Sequence, residues 1–176
     1  MGDNDAVNLA LLVLRLTLAA VMFAHGWAHL FSGGRIQGVA SWFDSLGMRP
    51  GKLHAWLASL TEVGVAPLLA LGLLTPVAMA ATAGLLIVAW VTNHRDAGFF
   101  VYNRPTEGYE YVMSLVAMSF VGAVLGAGEW SLDRALDLDG DLSGWVGAVI
   151  FLVVGVGGAA GLLLVFWRPP GPETDD

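Results

Sequence analysis

The chain has 176 residues, of which 56% are hydrophobic and only 13% are charged. A soluble domain usually carries about 25% charged residues, so the composition indicates a membrane protein. The chain has no cysteine, which excludes disulfides, iron–sulfur clusters and Cys-ligated zinc built from its own side chains. The net charge is -7 and no basic stripe is present, so nucleic-acid binding is not expected.

Five apolar stretches are predicted to cross a bilayer, because roughly 20 apolar residues span its hydrocarbon core. The third and fourth are short for a full crossing unless flanking residues extend them. The first is interpreted as a retained span and not as a signal peptide, because it lacks a positive start and Arg15 interrupts it. The predicted spans are Val7–Phe31, Leu53–Leu74, Val77–Thr92, Tyr111–Leu125 and Ser143–Trp167.

A short amphipathic helix is predicted between the first two spans, in residues 35–50. Its apolar side chains recur at helical spacing. Two placements remain open: the helix lies on the membrane interface, or it packs against the bundle as a soluble helix would. The apolar positions are Ile36, Val39, Ala40, Phe43 and Leu46.

The distribution of lysine and arginine predicts the topology, since cytoplasmic loops carry an excess of both. With five spans, the side that holds the N-terminus carries only Arg134. The N-terminus is therefore predicted outside and the C-terminus in the cytoplasm. The basic residues of the opposite side are Arg35, Arg49, Lys52, Arg95, Arg104 and Arg168.

Two opposite charges interrupt the first two spans, and intramembrane charges usually have a function or a partner. Arg15 and Glu62 each lie eight residues from a span end, or about 12 Å at the helical rise per residue. Their depths are therefore predicted to be similar, and an ion pair between neighbouring helices is expected. The pair is either a structural clamp or the floor of a polar cavity that anchors a ligand or relays protons.

The predicted topology also brings the histidines together near the cytoplasmic face. His25 and His29 lie one helical turn apart near the inner end of the first span, while His54 opens the second span and His94 closes the third. His54 and His94 are each expected to be solvated surface residues. Glu110, with its neighbours Tyr109 and Tyr111, joins this layer at the start of the fourth span.

Three of these features allow more than one interpretation. His25 and His29 share a helix face as two metal ligands would, but histidines bonded to water or backbone are commoner there, so no metal site is predicted. Haem is disfavoured, because a second axial histidine of matching depth is lacking. Glu110 either stabilises the start of its helix or acts as a general acid/base or a quinone-facing group.

Short motifs in a fixed order resemble those of the DoxX family of small prokaryotic membrane proteins. Together they cover about residues 10–135. The matching pieces are Leu14-Arg15, His25-Gly26-Trp27-Ala28-His29-Leu30-Phe31, Gly33-Gly34, Phe43-Asp44-Ser45-Leu46-Gly47, Glu62, Leu71-Gly72-Leu73-Leu74-Thr75, Gly98-Phe99-Phe100, Gly108-Tyr109-Glu110-Tyr111 and Ser131-Leu132-Asp133.

The resemblance implies an all-α, four-helix membrane bundle with a polar interior, here residues 7–135. Residues 136–176 would add an acidic loop, a fifth span that docks a partner, and a disordered acidic tail. The family is associated with thiosulfate-to-quinone oxidoreduction and with redox complexes, and the positions carried over to its site are Arg15, His25, Glu62 and Glu110. Lysine is common in the family where His29 stands here, which argues against anion binding at that position.

These observations favour a quinone-linked oxidoreductase, or a subunit of a membrane redox complex, in the inner (plasma) membrane of a prokaryote. Arg15 and Glu62 would form the buried polar floor. His25, His29, Tyr109 and Tyr111 would contact the quinone, and Glu110 would join the two histidines in binding its head group or passing protons. The expected partners are the lipid bilayer and either another protein or a second copy of the chain. Two alternatives remain: a non-catalytic scaffold that recruits an enzyme, and a permease for a small solute or metal.

Overall fold

The computed structural model describes residues 3–170, and every regular element in that range is a helix. The predicted all-α class is confirmed. The acidic tail predicted to be disordered lies largely outside the described residues. The helices are α1 (Asp3–Phe31), α2 (Arg35–Ser45), α3 (Gly51–Leu71), α4 (Thr75–Ala89), α5 (Glu110–Leu125), α6 (Leu132–Ala135), α7 (Asp139–Leu142), α8 (Gly144–Ile150) and α9 (Gly158–Phe166).

Two π-helical segments lengthen the later spans. One, Trp90–His94, continues α4 into a 3-10 turn at Arg95–Ala97, and the other, Phe151–Gly157, joins α8 to α9. The third predicted span is therefore extended by its flanking residues. The four stretches long and apolar enough to cross a membrane are Asn4–Phe31, Gly51–Leu71, Thr75–Ala97 and Gly144–Phe166, while Glu110–Leu125 is a shorter apolar helix.

The tight turn between α3 and α4 follows from its sequence. Gly72 ends α3 in the left-handed conformation, with φ +66°, which glycine adopts without steric cost. Pro76 lies in the first turn of α4, where the missing N–H costs nothing. Asp133, from a distant part of the chain, accepts hydrogen bonds from the backbone N–H groups of Leu74 (2.6 Å) and Thr75 (2.9 Å). Asp133, a residue distant in sequence, therefore stabilises this turn.

Helices α1, α3, α4 and α5 form a bundle in which each helix packs against two of the others. Its core consists of fully buried aliphatic and methionine side chains from all four helices. Small residues between them allow close packing, because Gly26 on α1 lies directly against Glu62 and Val63 on α3. Representative core residues are Leu18, Met22, Leu69, Met79 and Leu115.

The fifth span packs on the outside of α4 and α5. A Cβ atom at Gly147 would overlap the carbonyl of Ala123, and one at Gly155 would lie 2.8 Å from the carbonyl oxygen of Ala80. Glycine at these positions therefore allows backbone-to-backbone contact. Gly157 and Gly161 have the spacing of a GxxxG pair but make no such contact, since no residue of another described helix lies within 4 Å of a Cβ built at either position.

Helix α2 packs against α1 and α3 and buries Phe43. The loop after it is tied to the end of the fifth span: Arg168 N–H donates to the Gly47 carbonyl (2.9 Å), and the Trp167 indole N–H donates to the Leu46 carbonyl (3.0 Å). The helix thus packs against the bundle, which is one of the two placements left open for it. Helix α2 and the end of α9 together cover one end of the bundle.

Candidate ligand-binding cavity

A cavity of about 580 Å³ lies at the end of the bundle covered by α2 and α9. Its walls come from α1 to α5 and from the Gly144–Phe166 stretch, and most of its lining side chains are apolar. The size falls in the ordinary range for small-molecule sites, about 300–1,000 Å³. Its titratable lining residues are His25, His29, His54, Glu62, His94, Glu107 and Tyr111. The four histidines therefore share one cavity, as the predicted layer requires.

The most deeply buried acid of the cavity is Glu62, whose exposed fraction is 3%. Its Oε2 atom lies 2.8 Å from Nδ1 of His29. The angles at this contact are not those of a hydrogen bond, so neither atom has a hydrogen-bond partner among the described residues. The close approach of α1 and α3 at Gly26 brings the two side chains together. A buried carboxylate oxygen without a donor is costly, which makes Glu62 the candidate binding residue of this cavity.

His25 and Tyr111 complete this part of the site. His25 lies one turn closer to the middle of α1 than His29, so the two imidazoles share one face of the helix. Both His25 and Tyr111 line the cavity and are exposed. Imidazole and carboxyl groups side by side can donate, accept and pass protons.

His54 contradicts its sequence prediction, because it is buried and not solvated. Its exposed fraction is 3%, and its ring lies 5.1 Å from that of Phe166 and 6.1 Å from that of Phe43. Helix α2 and the end of the fifth span provide these neighbours, and their packing over the start of α3 could not be read from local hydropathy. The Nε2 atom of His54 has no hydrogen-bond partner among the described residues.

His94 lies in the π-helical segment that ends the third span. Its Nδ1 is 2.8 Å from the carbonyl oxygen of Glu107, so this nitrogen donates, and Nε2 lies 3.3 Å from the side-chain amide of Asn93. Both ring nitrogens are therefore engaged. His94 ties the third span to the loop before α5 and forms part of the cavity wall.

The predicted ion pair between Arg15 and Glu62 is wrong. Arg15 is 1% exposed and donates to two carbonyl oxygens, those of Trp130 (2.7 Å) and Leu69 (3.4 Å). The carboxylate of Asp133 attracts the guanidinium group of Arg15 electrostatically. The packing of Gly26 against Glu62, and of Gly72 against Arg15, places the two charges at different levels.

The two residues lie at different depths, although their distances from the ends of their own predicted spans are equal. Along α1, Arg15 is eleven residues from Gly26, which is about 16 Å of helix. Its side chain packs against the turn between α3 and α4, at the end of the bundle opposite the cavity. Arg15 does not line the cavity. Neither interpretation of the Arg15–Glu62 pair applies, because the pair does not form; Arg15 instead ties the first span to the carbonyl groups of Leu69 and Trp130.

Glu110 and Tyr109 hold the loop that precedes α5. The Glu110 carboxylate accepts from the N–H of Val101 at 3.1 Å. The Tyr109 ring stacks on Trp90 at 5.3 Å and meets Phe99 edge-on at 5.6 Å. Neither residue lines the cavity. The structure thus brings together His25, His29, Glu62 and Tyr111 from the predicted site, and places Arg15, Tyr109 and Glu110 elsewhere.

Sequence reasoning missed Asp133 and the apolar walls from α2 and the fifth span. Asp133 is 1% exposed, and its role depends on a contact between segments about sixty residues apart. Asp133 was named only as part of the Ser131-Leu132-Asp133 motif, and Ser131, which accepts from Arg134 N–H as a helix N-cap, marks the start of α6. Within residues 4–170, no group of three or more His, Asp or Glu side chains is close enough to hold a metal ion.

The fold and the cavity define a class: a multi-pass, all-helical membrane protein with a buried carboxylate beside an imidazole. Comparison with family models matches residues 10–95 to DoxX. The matched range is similar to the DoxX family of membrane proteins, and this family is associated with membrane redox proteins. Comparisons with curated proteins and with solved structures gave no match. The matched range includes Glu62 and the three histidines of α1 and α3, and it ends before the fifth span.

Proposed function

We propose that this protein binds a quinone head group in the cavity and exchanges protons with it at Glu62 and His29, as a quinone-linked oxidoreductase or as a subunit of a membrane redox complex. The observation that carries the proposal is the buried Glu62 carboxylate, which belongs to the lining of a largely apolar cavity and has its Oε2 atom 2.8 Å from Nδ1 of His29 with no hydrogen bond between them. A quinone needs apolar walls for its ring and a proton-exchanging group for its oxygens, and this cavity has both.

The chemistry of the pair suits both redox states of such a ligand. Reduction of a quinone to a quinol consumes two electrons and two protons. A protonated Glu62 or His29 donates to a quinone oxygen, and the unprotonated forms accept from a quinol hydroxyl. His25, exposed and one turn away on the same face of α1, lies where it can pass protons onward.

The wall of the cavity also suits a ligand that comes from the bilayer. Leu57 on α3 and Val154 in the fifth span both line the cavity, and their exposed fractions are 43% and 45%. The fifth span packs mainly on α4 and α5 and meets α3 around His54 and Ala55, so the exposed apolar part of the cavity wall lies beyond that contact, at Leu57 and Val154. A lipid-soluble molecule can reach the cavity through that side.

The electrons must have a source outside these side chains. With no cysteine in the chain, thiol and iron–sulfur chemistry has to be supplied by a partner protein or by the substrate. The proposal also retains the predicted orientation, in which the cavity end faces the cytoplasm of a prokaryotic cell. Protons would then be exchanged with the cytoplasm.

The test is quinone content after purification in a mild detergent. We expect the wild-type protein to retain quinone, and Glu62→Leu to retain about 10- to 100-fold less, since a hydrogen bond to an ionisable group is lost. Leucine fills the same space without leaving a buried charge, so the fold should persist. Quinone is measured by organic extraction and chromatography, per mole of folded protein.

The matched control is Glu110→Leu, which removes a carboxylate that lies outside the cavity. Its quinone content should equal that of the wild type. If the wild-type protein carries no quinone, or if the two variants retain the same amount, the proposal is wrong.

A further inference from the structure

Three arginines surround the place where the end of the fifth span meets the loop before α3. Met48 and Trp167 form an antiparallel bridge there, flanked by backbone hydrogen bonds of 3.3 Å and 2.9 Å that the N–H groups of Arg49 and Arg168 donate to the opposite segment. Arg49 and Arg168 are diagonal neighbours across this bridge, and such neighbours lie roughly 7–8 Å apart. The guanidinium carbon of Arg95 lies 5.0 Å from the centre of the Trp167 ring. Arg49, Arg95 and Arg168 thus form an arginine cluster.

Little negative charge balances the arginine cluster. Arg49 and Arg168 are exposed, and neither forms an ion pair with another residue of the described range 3–170. Nη1 of Arg168 donates only to carbonyl oxygens, which carry no net charge. Arg95 pairs with Asp96 at 3.3 Å, but the side chain of Asp96 is 87% exposed, and such surface pairs are weak. The cluster therefore presents a positive surface at the end of the bundle.

Exposed apolar side chains lie directly beside this positive surface. Trp167 follows the apolar stretch Gly144–Phe166, which is long enough to cross a membrane, and tryptophan is enriched where a span meets the membrane interface. Leu164 and Val165, in the last turn of the stretch, have exposed fractions of 79% and 59%. The carbonyl oxygen of Leu164 accepts from Nη1 of Arg168 at 3.4 Å. A charged group and an exposed apolar surface therefore adjoin, as the headgroup and the acyl chains of a lipid do.

We infer that the arginine cluster binds the headgroup of an anionic phospholipid, whose acyl chains lie along Leu164 and Val165. The phosphate supplies the negative charge that Arg49 and Arg168 lack, and guanidinium groups bind phosphate oxygens through paired N–H groups. Basic groups beside the end of a membrane span attract anionic headgroups. The fifth span lies outside the residues that match the family, and the inference does not depend on the proposed quinone chemistry.

Two lipids with identical acyl chains isolate the effect of the headgroup. Phosphatidylglycerol carries a net negative charge and phosphatidylcholine carries none. We expect the full chain to bind phosphatidylglycerol about 20- to 30-fold more tightly, since each of the two unpaired arginines contributes about fivefold. Binding is measured by native mass spectrometry of the protein titrated with each lipid in a mild non-ionic detergent. Equal affinity for the two lipids would overturn the inference.

Variants assign the preference to the arginine cluster. Arg49→Gln and Arg168→Gln should each reduce it about fivefold, and the double variant should remove it, while the backbone hydrogen bonds of the bridge remain. The matched control is Arg35→Gln. Arg35 is exposed and is covered by the same absence of ion pairs within residues 3–170, but it starts α2, about 15 Å of helix from Ser45. A preference that survives in the double variant, or that falls equally in Arg35→Gln, would contradict the assignment.

The acidic tail of the chain is the other candidate partner of these arginines. Its acids are Glu173, Asp175 and Asp176, and the triple variant Glu173→Gln, Asp175→Asn, Asp176→Asn removes their charges. We expect this variant to keep the preference of the wild type for phosphatidylglycerol. If the wild type shows no preference and the triple variant gains one, the tail and not a phospholipid neutralises the cluster, and the inference is wrong.

Discussion

Asp133→Ala is expected to lower the free energy of unfolding by about 3–5 kcal/mol, the usual cost of removing one partner from a buried charged cluster. The variant would leave the N–H groups of Leu74 and Thr75 without their acceptor. It would also leave the buried guanidinium of Arg15 without the acid that attracts it. Both losses fall on the turn between α3 and α4. The measurement is unfolding by dodecyl sulfate in mixed micelles, followed by circular dichroism.

The matched control for this result is Asp139→Ala. Asp139 also pairs with an arginine, Arg134, at 3.4 Å, but on the surface. A surface pair of this kind contributes at most about 1 kcal/mol. Equal effects of the two substitutions would show that Asp133 does not hold the turn in the way described.

Gly72→Ala is expected to destabilise the fold by about 2–5 kcal/mol, because two costs coincide at this residue. The backbone is left-handed at φ +66°, and a Cβ would overlap Nη1 of Arg15. The guanidinium would have to move away from the carbonyls of Leu69 and Trp130. The loss is measured in the same unfolding experiment.

Gly33→Ala separates the two costs. Gly33 is also left-handed, at φ +53°, and no atom lies within 4 Å of a Cβ built there. Only the backbone cost remains, about 1–2 kcal/mol. If Gly72→Ala costs no more than Gly33→Ala, the tight packing of Arg15 against this turn is not important for stability.

The spans could be predicted from the sequence because hydropathy is a local property. The start of α4 is an example: the third span was predicted from Val77, and the structure begins the helix two residues earlier, at Thr75. For the third span, the sequence predicted only that flanking residues must extend it to cross the membrane, and it did not predict the π-helical segment Trp90–His94. Its π-helical form places His94 against Glu107, a contact that depends on the following loop and has no local signal.

The partners of the buried charges were harder to predict, because they depend on how the helices are aligned. Glu62 lies beside Gly26 on α1, which pairs it with His29 and not with Arg15. A shift of a few residues between antiparallel helices changes every such pair. The counter-charge of Arg15 comes from Asp133, beyond α5, which depth within two spans could not reveal.

The histidine layer could be predicted, because it follows from chain order once five antiparallel spans are assumed. The burial of His54 could not, since Phe43 and Phe166 come from segments more than a hundred residues apart. Glu110 and Tyr109 matched motifs of the family, yet they hold a loop together. A residue that is next to a cavity-lining residue in the sequence does not necessarily line the cavity itself.

The central claim is that a quinone ring occupies the cavity beside Glu62, and photolabelling tests it most directly. An azidoquinone is added to the protein in detergent, irradiated, and located by mass spectrometry of peptides. We predict labelling of cavity residues such as Met22 and Thr61, suppressed by excess unlabelled quinone. Labelling confined to outward-facing residues such as Leu60 and Phe120, and unaffected by competition, would contradict the claim.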